Sequence, residues 1–154
     1  MARIDFAFGA PDRLRTACQV ARKQYLAGQP LVVYCADPAR LNAFDRMLWA
    51  FDDISFVPHV LATDPLAAET PVVLTAADPA PLANPTPSAT PERPAAWLLN
   101  LDDACPPNYQ AFARILEIVS AEGDDRQSAR QRWRVYQAQG DTPHSHAIGA
   151  KAAD

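Results

Sequence analysis

The polar and apolar positions of this 154-residue chain switch repeatedly between two periods. Ile4 to Phe8 alternates and predicts a first strand. Leu14, Ala17, Cys18, Ala21 and Tyr25 then recur at three- and four-residue spacing, one face of a helix. Asp12 stands where an N-cap belongs, and Gly28 where a C′ glycine would end that helix. Leu31-Val32-Val33-Tyr34-Cys35 is a short apolar run between Pro30 and Asp37 and predicts a buried strand. Asp37-Pro38 repeats the helix-start grammar, an N-cap before an N1 proline. Leu41, Phe44 and Leu48 carry a second helical stripe to about Trp49.

A turn at Asp52-Asp53 leads to Phe56-Val57-Pro58-His59. Pro58 lacks a donor N–H, so this segment is expected at an edge or in a loop. Pro71 to Thr75 and Ala96 to Leu101 read as strands. Between them, residues 79–94 hold six of the fifteen prolines and predict a long extended loop. Asn108 to Ala113 suggests a short helix. Ile115 to Val119 is either its continuation or a strand, and its β-branched residues favour the strand. Asp124 to Gln139 predicts a helix that Gly140 ends. The polar residues 141–154 are expected to form a flexible tail. Strands alternating with helices predict a three-layer α/β/α domain over residues 1–140 with a mostly parallel sheet, resembling nucleotide-binding folds.

Composition narrows the function. A net charge of -4 argues against a broad nucleic-acid-binding face. The five glycines never cluster, so neither a P-loop nor a dinucleotide fingerprint can be written, and no phosphate loop or cofactor is expected. No apolar run is long enough to span a membrane, and the N-terminus does not read as a secretory signal. Cys18, Cys35 and Cys105 form no metal or disulfide pattern and read as free thiols of a cytoplasmic protein.

Candidate chemistry is sparse. His144 and His146 could hold a metal weakly but sit in the expected tail. Asp52-Asp53, Asp102-Asp103 and Asp124-Asp125 fit turns and helix starts. Asp102-Asp103 also follows a strand end, where α/β enzymes place functional groups, and with His59 it supports one alternative, a small α/β enzyme. No catalytic residue or metal ligand set can be assigned. The last helix says more. At 100° per residue, Arg126, Arg130, Trp133 and Gln137 share one face. That pattern fits a packed Trp133 rimmed by solvated arginines. That packed reading comes first; the second is a cationic, aromatic-lined pocket for an acidic peptide, because arginine grips carboxylates through paired hydrogen bonds. In Met47-Leu48-Trp49-Ala50-Phe51, adjacent helical residues diverge, so Leu48 and Trp49 cannot both face the core.

Two blocks carry a family resemblance: Leu48-Trp49-Ala50 with Ser55-Phe56-Val57-Pro58-His59, and Ala129-Arg130-Gln131-Arg132-Trp133-Arg134-Val135-Tyr136 followed by Gly140. Both resemble the chi subunit of bacterial DNA polymerase III, over about residues 1–140. The resemblance implies a non-catalytic clamp-loader accessory subunit that needs no cofactor. It implies a heterodimer with the psi subunit through a surface matching Trp49 and Phe56, used in some members by a DNA-repair helicase. It also implies a second surface for the acidic C-terminal tail of single-stranded-DNA-binding protein, matching Val119, Arg126, Arg130 and Trp133. In that match Arg130 holds the terminal carboxylate, Arg126 meets the acids, and Val119 and Trp133 line the pocket for the last phenylalanine ring. Trp133 stands where the family commonly has tyrosine.

Overall fold

The computed structural model describes residues 2–50, 57–83 and 95–148. Seven strands form one sheet: β1 (Arg3–Ala10), β2 (Leu31–Tyr34), β3 (His59–Leu61), β4 (Val72–Thr75), β5 (Trp97–Asn100), β6 (Arg114–Ser120) and β7 (His144–Ala147). Their spatial order is β3-β4-β2-β5-β6-β1-β7, and every pairing is parallel. Among the described residues three α-helices cover the sheet: α1 (Arg13–Leu26), α2 (Pro38–Trp49) and α3 (Gly123–Ala138). The parallel sheet is thus purer than the mostly parallel one expected.

The layers follow from strand alternation. Val33, Leu74, Leu99 and Ile118 turn to one face and pack with Ala17, Cys18 and Ala21 of α1 and Leu41, Phe44 and Leu48 of α2. Ile4, Phe6, Leu98, Ile115 and Val119 turn to the other, against Ala129 and Tyr136 of α3. Sheets covered on both faces require such near-continuous apolar strands. Among the described residues no helix is long and apolar enough to cross a membrane.

Helix ends are set where the sequence places them. Asp12 accepts from the backbone N–H groups of Leu14 and Arg15, and Asp37 from that of Ala39, just after Pro38 at the start of α2. At the end of α1, Gly28 takes φ +77°; its N–H bonds the Tyr25 carbonyl while that of Gln29 bonds Gln24. Gly140, at φ +94°, closes α3 in the same way, with Gly140 bonded to Gln137 and Asp141 to Tyr136. Each is a Schellman motif, and its left-handed residue favours glycine.

One local expectation holds and two change. Asn108 to Ala113 holds only a short 3-10 turn, Tyr109–Ala111, entered through Asn108 at φ +52°. The segment holding Pro58 lies at an edge as expected: His59 begins a three-residue edge strand, β3. Within the expected tail, His144–Ala147 forms β7, in register with Asp5 to Phe8 of β1. The open edge of β1 offers unpaired backbone groups, and that template overrides the weak strand propensity of His-Ser-His-Ala. Most of the proline-rich 79–94 segment, the Asp52-Asp53 turn and Phe56 lie outside the described residues.

The sheet contains a buried charge. Glu117 of β6 is 1% exposed and faces α3. It accepts hydrogen bonds from Arg132 Nε at 3.0 Å, Tyr136 Oη at 2.7 Å and Asn100 Nδ2 at 2.8 Å. Arg13 Nη2 lies 4.0 Å away. Burial and the neighbouring Glu117 push the Tyr136 hydroxyl well above its ordinary range, so it stays a donor. Replacing Glu117 with Ala strands the Arg132 guanidinium. Urea denaturation is expected to show a loss of about 3–5 kcal/mol, whereas a loss below about 1 kcal/mol contradicts this account of the network.

Asp5 is the second charged anchor. It takes hydrogen bonds from Arg3 at 3.0 Å, Arg114 at 2.8 Å and His146 at 3.0 Å. Burial works to raise its pKa, but the hydrogen bonds from Arg3, His146 and Arg114 outweigh it and hold the carboxyl at about 2, below the ordinary 3.8. A depressed carboxyl stabilises the fold above its unfolded pKa, and that contribution fades as pH falls through the folded value. Asp5→Asn is therefore expected to cost about 1–2 kcal/mol at pH 7, solvent screening included. Denaturation curves at successive pH values should show the gap closing between pH 4 and pH 2.

Candidate functional site

The outer face of α3, the end of β6 and the β1/β7 edge enclose a pocket of about 490 Å³. Val119, Arg126, Arg130 and Trp133, scattered over fifteen positions of sequence, all line it. Two constraints bring them together. Val119, near the end of β6, turns to the α3 face and is 5% exposed. The helix then stacks Arg126, Arg130 and Trp133 at offsets of four and seven residues, one above the other.

The floor is aromatic. Phe6 of β1 lies under Trp133, with ring centroids 5.1 Å apart and planes tilted by 50°, and it meets Tyr136 edge-on at 5.8 Å. Trp133 is therefore both packed and pocket-forming, so the two readings of the helix pattern coexist in one side chain. Phe8, 43% exposed, continues the floor outward. Arg134, Gln137 and Ser145 of β7 complete the wall. The sequence reading did not single out Arg134, although it lies four residues beyond Arg130, a signal that was available. Ser145 carried no such signal, because β7 itself was unforeseen.

The rim is positive. Among the described residues, no carboxylate pairs with Arg126, Arg130 or Arg134. Other arginines of the chain are committed: Arg13, Arg40 and Arg132 bind Asp103, Asp125, Glu117 and backbone carbonyls. Free guanidinium groups over an apolar floor suit a ligand that combines carboxylates with a hydrophobic side chain.

Trp49 lies toward the opposite edge of the sheet, ending α2 beside β3. Leu48 is 2% exposed and Trp49 51%, the divergence expected of adjacent helical residues. The Trp49 ring lies against that of His59, centroids 4.3 Å apart and planes tilted by 43°. His59 is held in turn: its Nδ1 lies 2.7 Å from the Val57 carbonyl and its Nε2 3.1 Å from the Asp45 carboxylate. Leu61, two residues along β3 from His59, is 49% exposed. Phe56 lies outside the described residues.

The residues of the enzyme alternative are not brought together. Asp103 follows β5 in mid-sheet, clipped by Arg40 at 3.0 Å and Arg13 at 3.6 Å. The Arg40 hydrogen bond outweighs burial and holds that carboxyl below its ordinary range. His59 sits on the edge strand and is occupied by Val57, Asp45 and Trp49. Among the described residues no group of histidines, cysteines and acids is placed to hold a metal. Burial pushes the Cys18 and Cys105 thiols up to about 12, the opposite of an activated nucleophile.

Comparison with known proteins agrees with the resemblance. The family model described as DNA polymerase III chi subunit, HolC, matches residues 1–144. DNA polymerase III subunit chi of Pseudomonas aeruginosa is 32% identical over 152 residues, covering 96% of this chain and 98% of the relative. The protein of the same name from Escherichia coli is 28% identical over 123 residues, covering 80% and 77%. That of Haemophilus influenzae is 24% identical over 124 residues, covering 80% and 79%. With the match running from the first strand into β7, the chain belongs to the DNA polymerase III chi subunit family.

Proposed function

We propose that this chain is a non-catalytic adaptor of the DNA polymerase III holoenzyme, acting in the cytoplasm. It joins the psi subunit and clamp loader to the acidic C-terminal tail of single-stranded-DNA-binding protein. The observation that carries the reading is the α3 pocket, where three arginines that have no carboxylate partner among the described residues rim a floor of Phe6, Phe8, Val119 and Trp133. A tail that ends in a phenylalanine carboxylate preceded by acids matches both halves of that surface. The ring enters beside Val119 and Trp133, Arg130 takes the terminal carboxylate, and Arg126 and Arg134 meet the acids.

Psi binding belongs to the other edge, at Trp49 with Phe56. A half-exposed tryptophan braced by a buried histidine is a rigid apolar anchor of the kind that dominates interfaces. In members that bind a DNA-repair helicase, the same surface would serve. Recruitment then works through number. One charge-assisted contact is worth only ~1.5–3 kcal/mol. Many tails displayed on coated DNA raise the effective concentration at the pocket and tether the complex.

Two measurements test the division of labour. Arg130→Ala is expected to weaken binding of an acidic peptide ending in Pro-Phe by roughly 10- to 100-fold, read by fluorescence anisotropy. Wild-type affinity should also fall as salt rises, and retained, salt-independent binding contradicts the pocket assignment. Trp49→Ala is expected to abolish most psi binding in a pull-down while leaving peptide affinity within about twofold. Equal loss of both activities from either variant, with a normal fold, overturns the two-surface reading.

A further inference from the structure

β7 (His144–Ala147) is the outermost strand beside the pocket, and its four residues are all exposed. Among the described residues its strand neighbour is β1 alone. A strand so short, polar and exposed buries little apolar surface, which places it at the low end of local stability. Its two faces touch different things. Ser145, in register with Phe6, turns toward α3 and forms part of the pocket wall. His146 turns the other way, and its Nε2 lies 3.0 Å from Oδ1 of Asp5.

Asp5 is well suited to hold a strand. Its side chain is only 5% exposed, and it already binds Arg3 of its own strand and Arg114 of β6. One carboxylate thereby ties β6, β1 and β7 together. The chain entering β7 is fixed separately, where Asp141 accepts the Tyr109 hydroxyl. Among the described residues, the Asp5–His146 contact is the side-chain tie within β7 itself.

We infer that His146 is a positioning residue for the pocket: by bonding Asp5 on one face of the sheet it holds β7 in place, so that Ser145 closes the pocket wall on the other. The inference rests on the reading of that pocket as an acidic-peptide site. It gives the His-Ser-His motif a part that a metal or a solvated tail would not.

The test pairs peptide affinity with hydrogen exchange at the amides of residues 144–147, in the full chain and in the His146→Ala and His146→Gln variants. His146→Ala is expected to lose roughly three- to fivefold in affinity for the acidic peptide, as suits the loss of one half-exposed hydrogen bond. Exchange in β7 should quicken, while that in β1 and α3 stays as in the wild type. The glutamine variant keeps an N–H for Asp5 and should restore both readouts. Wild-type affinity in His146→Ala, loss of affinity without faster exchange in β7, or failure of glutamine to rescue each overturns the inference. If the wild-type chain binds no peptide at all, the pocket reading falls first and takes the inference with it.

Discussion

A carboxylate in the middle of a parallel sheet is tolerable only when its charge and lone pairs are all answered, and Glu117 depends on that condition. Its partners come from three places: Asn100 at the end of β5, Arg132 and Tyr136 on α3, and Arg13 at the start of α1. The same Arg132 also reaches the Asp103 carbonyl and Ser128. Breaking one arm leaves a buried charge unanswered, so the helix can neither rotate nor slide without cost. The polar network thereby fixes the azimuth of α3 more firmly than apolar packing alone, which tolerates small shifts.

That azimuth positions the candidate site. With Ala129, Arg132 and Tyr136 turned inward, Arg126, Arg130 and Arg134 must turn outward, along the edge where Phe6 and Phe8 form a floor. The helix thus divides its arginines by task. Arg132 answers a buried acid, and among the described residues the outer three have no carboxylate partner. The overall charge of -4 hides this local positive rim. An acidic surface elsewhere is compatible with selective capture of an acidic tail, since attraction of exposed charges is confined to about a Debye length.

Much of this was legible beforehand, for reasons that can be named. Asp12, Asp37-Pro38, Gly28 and Gly140 mark helix ends through local chemistry, which sequence records directly. The face shared by Arg126, Arg130 and Trp133 is a matter of helical period alone. What escaped was non-local. In Ile-Leu-Glu-Ile-Val, nothing within β6 says that Glu117 points inward, because its partners lie on other elements. β7 was missed because His-Ser-His-Ala has no apolar alternation; the free edge of β1 specifies it. The Tyr109–Ala111 turn was overestimated, since the left-handed Asn108 cannot be seen in a string of letters.

The central claim is that one small domain carries two separate docking surfaces, the acidic-peptide pocket at the β1/β7 edge and Trp49 at the β3 edge. The most direct measurement is an amide and indole chemical-shift map of the ¹⁵N-labelled chain titrated with the acidic peptide ending in Pro-Phe. The account predicts saturating shifts at Val119, Ser145, the arginines of outer α3 and the Trp133 indole, with the Trp49 indole unmoved. Shifts centred on Trp49 and His59, or spread evenly over both edges, would contradict it.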